Sequence, residues 1–141
     1  PSWWPELSAA MISCSTLYVC TTCRGSEAAT DAPRAGARLL AAVERQSLER
    51  GSAETGGGPA IVGVECLSNC SRSCSAAVAA PGKWTYVIGN LDPDRHAADI
   101  LAFARQHSGH EQGLPVWRER PEHIRKNTIA RVPPILFKEQ S

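Results

Sequence analysis

The sequence predicts a single α/β domain with a mixed sheet, in the element order β-α-β-β-β-α. Three observations predict it. Short β-branched runs alternate with segments of helical periodicity. The pair Pro81-Gly82 joins two further apolar runs as a hairpin. A length of 141 residues fits one compact domain. A helical crossover makes the first two strands parallel and the hairpin adds antiparallel ones, so the sheet is mixed.

The first three elements follow from apolar periodicity and from residues that start or stop a helix. The apolar run of residues 15–20 predicts a first strand. A helix is expected to open at Pro33 and to close at Gly51. The run of residues 59–65 predicts a second, largely buried strand. The predicted apolar face of the helix consists of Leu39, Leu40, Val43 and Leu48.

The next three elements are a hairpin and a closing helix. Residues 75–80 and 83–90 predict the two strands of the hairpin. Asp92 is expected to cap a helix that opens with Pro93 and ends at Gly109. The predicted apolar face of this helix consists of Ala97, Ile100, Leu101 and Ala104.

These elements define a domain of residues 14–110 between two extensions. Residues 1–13 are expected to lie outside the fold as a flexible N-terminal extension. Residues 111–141 are rich in proline and are expected to form an irregular C-terminal extension packed on the domain. One short helix, at residues 122–127, is predicted within that extension.

Composition and charge argue against several classes of function. Fifteen Lys and Arg against 14 Asp and Glu give a net charge of +1, which argues against binding nucleic acid through charge. The longest uncharged stretch, residues 7–23, is broken by Ser and Thr and is too weakly apolar for a membrane span. We therefore expect no nucleic-acid partner, no membrane association and a cytoplasmic location.

Five of the six cysteines fall into two motifs, and each motif follows a predicted strand. Cys20 and Cys23 follow the first strand, while Cys66, Cys70 and Cys74 follow the second. If the two strands are parallel neighbours, both loops leave the sheet at the same edge. Four thiolates converging on one edge would make a metal site.

Three chemistries compete for these thiolates. An iron–sulfur cluster takes four Cys ligands from flexible loops, and two cysteine pairs also suit structural zinc. Thiol–disulfide exchange is disfavoured because Cys23 lies ten positions before the helix start at Pro33, beyond reach of the helix dipole. Small donors that suit hydrogen bonds to sulfur crowd both loops: Thr21, Thr22, Ser68, Asn69, Ser71 and Ser73. Arg24 and Arg72 flank the motifs and either favour the reduced state of a cluster or are simply solvated.

At these motifs the chain resembles a known class of proteins. Residues 64–70, followed by a hairpin and a helix that opens near Asp92, resemble the second half of thioredoxin-like [2Fe-2S] ferredoxins. The sequence more closely resembles a family of small bacterial metal-binding proteins that are often encoded among cobalamin-biosynthesis genes. The segments that carry this likeness are residues 20–24 (CTTCR), 65–70 (ECLSNC), 81–86 (PGKWTY) and 117–121 (WRERP).

The resemblance implies a thioredoxin-like fold and an electron-transfer protein that is not an enzyme. By the same resemblance, one [2Fe-2S] cluster per chain is ligated by Cys20, Cys23, Cys66 and Cys70, with Cys74 as the alternative ligand. It also implies a redox partner protein and often a homodimer. The alternative is a zinc- or cobalt-binding module, or a metal carrier, that uses the same thiolates.

The histidines and the C-terminal tryptophan carry weaker signals. His107 and His110 have ligand-like spacing, but we expect them to be solvated or to cap the end of the second helix. His96 and His123 lie in charged helical segments and carry no signal. The segment around Trp117, with Arg118 and Arg120, either docks an acidic redox partner or packs on the domain. Trp84 and Tyr86 are expected to pack in the core, and Cys14 to be a small buried hydrophobe.

Overall fold

The computed structural model describes residues 15–22, 34–49, 59–68 and 74–134. Within these ranges five strands form one mixed sheet, with the strand order β2-β1-β3-β4-β5. The strand bounds are Thr16–Cys20 for β1, Ala60–Val64 for β2, Ala76–Ala79 for β3, Thr85–Ile88 for β4 and Thr128–Val132 for β5. Strands β1 and β2 are parallel and the other pairs are antiparallel, as the crossover and hairpin predict.

Three helices are described: α1 at Ala35–Glu49, α2 at Ala97–Gly109 and α3 at Glu122–Asn127. Helices α1 and α2 cover the same face of the sheet. A Cβ added at Gly63 would lie 2.8 Å from the Leu40 side chain of α1. Tyr86 meets Phe103 of α2 edge to face, with ring centroids 5.1 Å apart. The strand register puts Gly63 and Tyr86 on one face, so both helices pack there.

The core lies between this face and the helices, and it mostly matches the predicted apolar stripes. Leu39 and Val43 of α1 are fully buried, and each stabilises the fold by roughly 1.5–3 kcal/mol. The predicted stripe of α2 is buried throughout: Ala97, Ile100, Leu101 and Ala104. Leu48 is the exception, because 74% of its surface is exposed. The apolar face of α1 therefore ends before its last turn.

The second helix begins later than its capping signals predict. Asp92 accepts a hydrogen bond from the Asp94 N–H at 2.8 Å, and its carbonyl accepts the N–H groups of Arg95 and His96. Asp92 and Pro93 thus organise a turn, and α2 starts only at Ala97. The prediction of a helix opening at Pro93 was wrong because an Asx turn uses the same residues as a helix cap.

The C-terminal extension contributes a strand that was not predicted. The short helix at residues 122–127 is confirmed as α3, but the residues after it form β5 and pair with β4. The expectation that this stretch simply lies over the domain was wrong. The β-branched residues Thr128, Ile129 and Val132 favour a strand, and Pro133 and Pro134 follow the end of that strand rather than excluding it.

Candidate metal centre

Cys20 and Cys66 lie at the same edge of the sheet. Cys20 is the last residue of β1 and is in register with Val64, the last residue of β2. Cys66 follows two residues later. The Thr21 N–H donates to the Val64 carbonyl at 2.8 Å, so the two strands stay paired up to the edge. We call this edge, with its residues Cys20–Thr22 and 64–68, the cysteine rim.

The two loops of the cysteine rim are also bound to each other through side chains. The Thr21 hydroxyl donates to the Val64 carbonyl at 3.1 Å, and the Thr22 hydroxyl donates to the Glu65 carbonyl. The Sγ of Cys20 lies 3.7 Å from that same Glu65 carbonyl. The peptide that leads into Cys66 is therefore fixed relative to Cys20.

Cys20 is held firmly by its backbone. Only 2% of its surface is exposed, and its N–H donates to the Ser75 carbonyl of the neighbouring chain segment at 3.1 Å. A Cβ added at Gly36, in the first turn of α1, would lie 2.0 Å from the Cys20 carbonyl oxygen. Glycine at this position lets the helix start approach the end of β1 closely, and any side chain there would force the two apart.

Cys66, in contrast, is exposed and its sulfur accepts a backbone hydrogen bond. The N–H of Ser68 donates to the Sγ of Cys66 at 3.1 Å. Ser68 has a φ of 55°, in the left-handed region that non-glycine residues seldom adopt. Among the small donors that the sequence indicates around the cysteines, Ser68 thus contacts sulfur through its backbone.

Cys74 lies at the same edge of the sheet as Cys20. Val19 pairs with Ala76, and the hydrogen bond from Cys20 to Ser75 continues that register by one step. Cys74 is fully buried, and the side chains of Cys20 and Cys74 both belong to the hydrophobic core.

The remaining two predicted ligands, Cys23 and Cys70, lie outside the described residues, as do Cys14, Arg24 and Arg72. Cys20, Cys66 and Cys74 are thiols rather than disulfides. Within the part of the chain that the structure describes, no three Cys, His, Asp or Glu side chains are close enough together to hold a metal ion. A [2Fe-2S] cluster fits the donor set, since Cys20 and Cys66 share the cysteine rim and a backbone N–H already faces one sulfur.

His107 does not behave as the sequence predicts, because it is a core residue and is neither solvated nor a simple cap. Its Nε2 lies 2.6 Å from the Trp84 carbonyl, and its Nδ1 lies 2.5 Å from the Ser15 hydroxyl. Burial lowers the pKa of His107 from its ordinary value. His110 does act at the helix end, where its Nδ1 accepts the N–H groups of Gln112 and Leu114.

The other two histidines interact in a way that the sequence does not indicate. The rings of His96 and His123 are stacked, with centroids 3.6 Å apart and planes at 19°. The Nδ1 of His96 accepts the Asp92 N–H at 2.8 Å. Burial, and then the neighbouring His123, lower the pKa of His96. This pair holds α3 against the turn that precedes α2.

The segment around Trp117 has one exposed side chain and one that packs on the domain. Trp117 itself is 60% exposed, with the Arg125 guanidinium 5.0 Å above its ring. Arg120 turns inward instead, donates twice to the Pro115 carbonyl and lies over the buried ring of Tyr86. The aromatic residue is therefore available at the surface, whereas one of its two neighbouring arginines is part of the packing.

Solved structures with a similar fold include two thioredoxin-like ferredoxins. One is a thioredoxin-like [2Fe-2S] ferredoxin from Aquifex aeolicus, with a TM-score of 0.52, 16% identity, and coverage of 88% of this chain and 98% of that chain. The other is the wild type thioredoxin-like [2Fe-2S] ferredoxin from the same organism, with a TM-score of 0.50, 18% identity, and coverage of 83% and 97%. At such identities the likeness shows the fold alone, so the predicted thioredoxin-like α/β fold is confirmed.

Comparison with curated proteins finds no match. None of the helices in the described ranges is long and apolar enough to cross a membrane. A family model described as a protein of unknown function, DUF1636, matches residues 17–134, which is most of the chain. The chain therefore belongs to the DUF1636 family.

Proposed function

We propose that this protein is an electron carrier that binds one [2Fe-2S] cluster per chain through Cys20, Cys23, Cys66 and Cys70. The observation that carries the proposal is the position of Cys20 and Cys66 at the ends of two adjacent parallel strands. The likeness of the fold to two ferredoxins whose names include a [2Fe-2S] centre supports the same function. When bound, such a cluster accepts and returns one electron at a time.

The residues of the cysteine rim would contribute in different ways. Cys20 is a rigid ligand, because its N–H is hydrogen-bonded to the Ser75 carbonyl and its own carbonyl lies against Gly36 at the start of α1. Cys66 is an exposed ligand on a turn, which keeps the centre within reach of a partner at the surface. The Thr22 hydroxyl, which binds the Glu65 carbonyl, keeps the spacing of the two ligands constant. Constant spacing lowers the structural change that accompanies each electron transfer.

We assign the fourth ligand to Cys70 rather than to Cys74. Cys74 is fully buried in the core, and its backbone is paired with that of Leu91 through hydrogen bonds of 2.9 and 3.3 Å. Movement of Cys74 towards the exposed Cys66 would break this pairing. Cys70 lies outside the described residues, and its assignment rests on its spacing from Cys66 in the sequence.

The proposal includes a separate redox partner protein and a reducing cytoplasm, where thiolates stay available as ligands. Trp117 offers an exposed aromatic surface that suits contact with a partner, because aromatic and Arg side chains supply much of the binding energy at interfaces.

The test is the metal content of protein purified without oxygen. We expect a red-brown protein with about two irons and two acid-labile sulfides per chain, whose visible absorption bleaches on reduction with dithionite. Reduction should also produce the paramagnetic resonance of a single unpaired electron. A colourless protein with one zinc ion per chain, and the same thiols protected from alkylation, would instead establish the metal-binding module and overturn the proposal.

A further inference from the structure

Ser68 has an unusual backbone conformation for its residue type. Its φ of 55° is shared, among the described residues other than glycine, with Asn90 alone. Asn tolerates the left-handed region because its side chain forms local hydrogen bonds, but Ser has no such general advantage. A strained residue of this kind persists only where its surroundings fix it, and such residues concentrate at functional sites.

The residues that precede Ser68 are held in place by contacts with the rest of the protein. The Glu65 carbonyl is bound by the Thr22 hydroxyl, and Leu67 is partly buried against the core. These contacts hold the Leu67–Ser68 peptide, whose N–H faces back to the Sγ of Cys66, 3.1 Å away.

We propose that Ser68 is a positioning residue for the [2Fe-2S] centre: its backbone N–H donates to the Cys66 sulfur and thereby raises the reduction potential. This inference rests on the proposed function. A backbone N–H near a sulfur ligand stabilises the additional negative charge that the centre carries after reduction. The side-chain hydroxyl of Ser68 has no part in the effect, since the contact is made by the backbone.

The experiment measures the midpoint potential of three variants against the wild type. Ser68→Val places a β-branched residue where φ is positive, and the turn relieves this conflict by reorienting the Leu67–Ser68 peptide, which moves the N–H away from the sulfur. We expect a lower potential. Ser68→Gly keeps the N–H and adopts the same φ without strain. We expect an unchanged potential and a higher urea midpoint.

Asn90→Val is the matched control. Asn90 has the same φ of 55° but lies in the loop after β4, where its side chain binds Asn127. This variant meets the same conformational conflict and loses stability, yet no backbone N–H of a rim residue changes its direction. We expect the potential of Asn90→Val to equal that of the wild type.

Three outcomes would overturn the inference. Equal potentials for Ser68→Val and the wild type would overturn the inference while leaving the cluster and the proposed function intact. An equal drop in Ser68→Gly and Ser68→Val would assign the effect to the hydroxyl and also overturn it. A wild type without iron overturns the proposed function, and this inference with it.

If Ser68→Val binds no cluster, its potential cannot be measured, and a fourth protein then tests the inference. A semisynthetic chain with an ester in place of the amide between Leu67 and Ser68 lacks only the N–H and keeps every side chain. A lower potential in this chain, compared with the all-amide chain assembled by the same ligation, is the expected result. An unchanged potential would overturn the inference.

Discussion

The two ends of the sheet differ in how far their polar groups are buried and hydrogen-bonded. At the cysteine rim Cys66 is exposed, and the Cys20 sulfur lies 3.7 Å from the Glu65 carbonyl and 3.9 Å from the Thr22 hydroxyl. At the opposite end, where β1 begins, His107 is fully buried and both of its ring nitrogens are hydrogen-bonded. We call this second region the buried histidine end.

The buried histidine end has a defined protonation pattern. The Trp84 carbonyl can only accept, so the Nε2 of His107 carries the proton and its Nδ1 accepts from the Ser15 hydroxyl. The Nζ of Lys83 binds the carbonyls of His107 and Ser108, at 3.3 and 2.8 Å, in the last turn of α2. A cation in this position also suits the negative end of the helix dipole.

The contrast separates a region built for stability from one suited to chemistry. Polar groups at the buried histidine end satisfy one another, which joins the start of β1, the hairpin and the end of α2 into a closed unit. At the cysteine rim, Cys66 is exposed and can meet a further ligand or a partner. Loss of a hydrogen-bonding side chain at the buried histidine end should therefore alter stability without altering metal content, and loss of a ligand at the cysteine rim should do the reverse.

The largest expected effect is the loss of iron in Cys66→Ser. Serine removes the exposed thiolate, so we expect cluster content to fall to background. The urea unfolding free energy of the metal-free protein should change by no more than about 0.5 kcal/mol, since the site is on the surface. Iron and sulfide assays together with urea titrations provide both readouts.

The matched variant is Cys74→Ser. It buries a hydroxyl in the core and should cost about 1–3 kcal/mol of stability while the visible spectrum stays nearly unchanged. Loss of the spectrum in Cys74→Ser, with retention in Cys70→Ser, would show that the fourth ligand is Cys74 and that the assignment to Cys70 is wrong.

The next effect in size is the loss of stability in His107→Leu. Leucine leaves the buried Ser15 hydroxyl and Trp84 carbonyl without their partner, and we expect a loss of about 2–4 kcal/mol. Urea titration measures it, and iron content should stay at the wild-type level. Leu48→Ala, at an exposed position of α1, should change stability by less than about 0.5 kcal/mol. A stable His107→Leu protein would contradict the structural role assigned to the buried histidine end.

A smaller loss is expected in Lys83→Met. Methionine keeps the apolar stem but removes the charged hydrogen bonds to the last turn of α2, which should cost about 1–2 kcal/mol. The exposed Lys126→Met is the control, because its pairing with Glu122 lies in solvent. Equal effects of the two substitutions, measured by urea titration, would mean that burial of Lys83 contributes nothing.

The cysteine rim was largely predictable from sequence, whereas the buried histidine end was not. Two motifs that follow two parallel strands must lie at one edge, and Cys20 and Cys66 do so. His107 continues the buried stripe of α2, three residues after Ala104, so its burial had a signal in the periodicity. Its partner Ser15 lies 92 residues away in sequence, and no local pattern identifies it.

Two further features of the fold could not be predicted from local sequence patterns. Strand β5 is stabilised by pairing with β4, a long-range contact that outweighs its proline-rich surroundings. Ser68 adopts the left-handed conformation, and a serine in a polar loop gives no sign of it. The ligand roles of Cys23 and Cys70 stay predictions.

The smallest expected effect is on the pH dependence of stability, and it again distinguishes the two ends of the sheet. Burial lowers the pKa of His107 below its ordinary value of 6.5 in the folded protein. The unfolded chain therefore binds a proton at a higher pH than the folded one. The contribution of His107 to stability is complete above about pH 6.5 and falls as the pH drops from there towards the folded-state pKa.

Urea unfolding at several pH values between 8 and 5 measures this loss, with iron-free protein used throughout. His96 also has a lowered pKa, chiefly through burial, and contributes in the same direction. His107→Leu should therefore remove only part of the acid sensitivity, and a double variant with His96→Gln should remove more of it. An unaltered pH slope in His107→Leu would mean that the buried imidazole gains a proton as easily as in the unfolded chain, which its hydrogen bond from Ser15 to Nδ1 opposes.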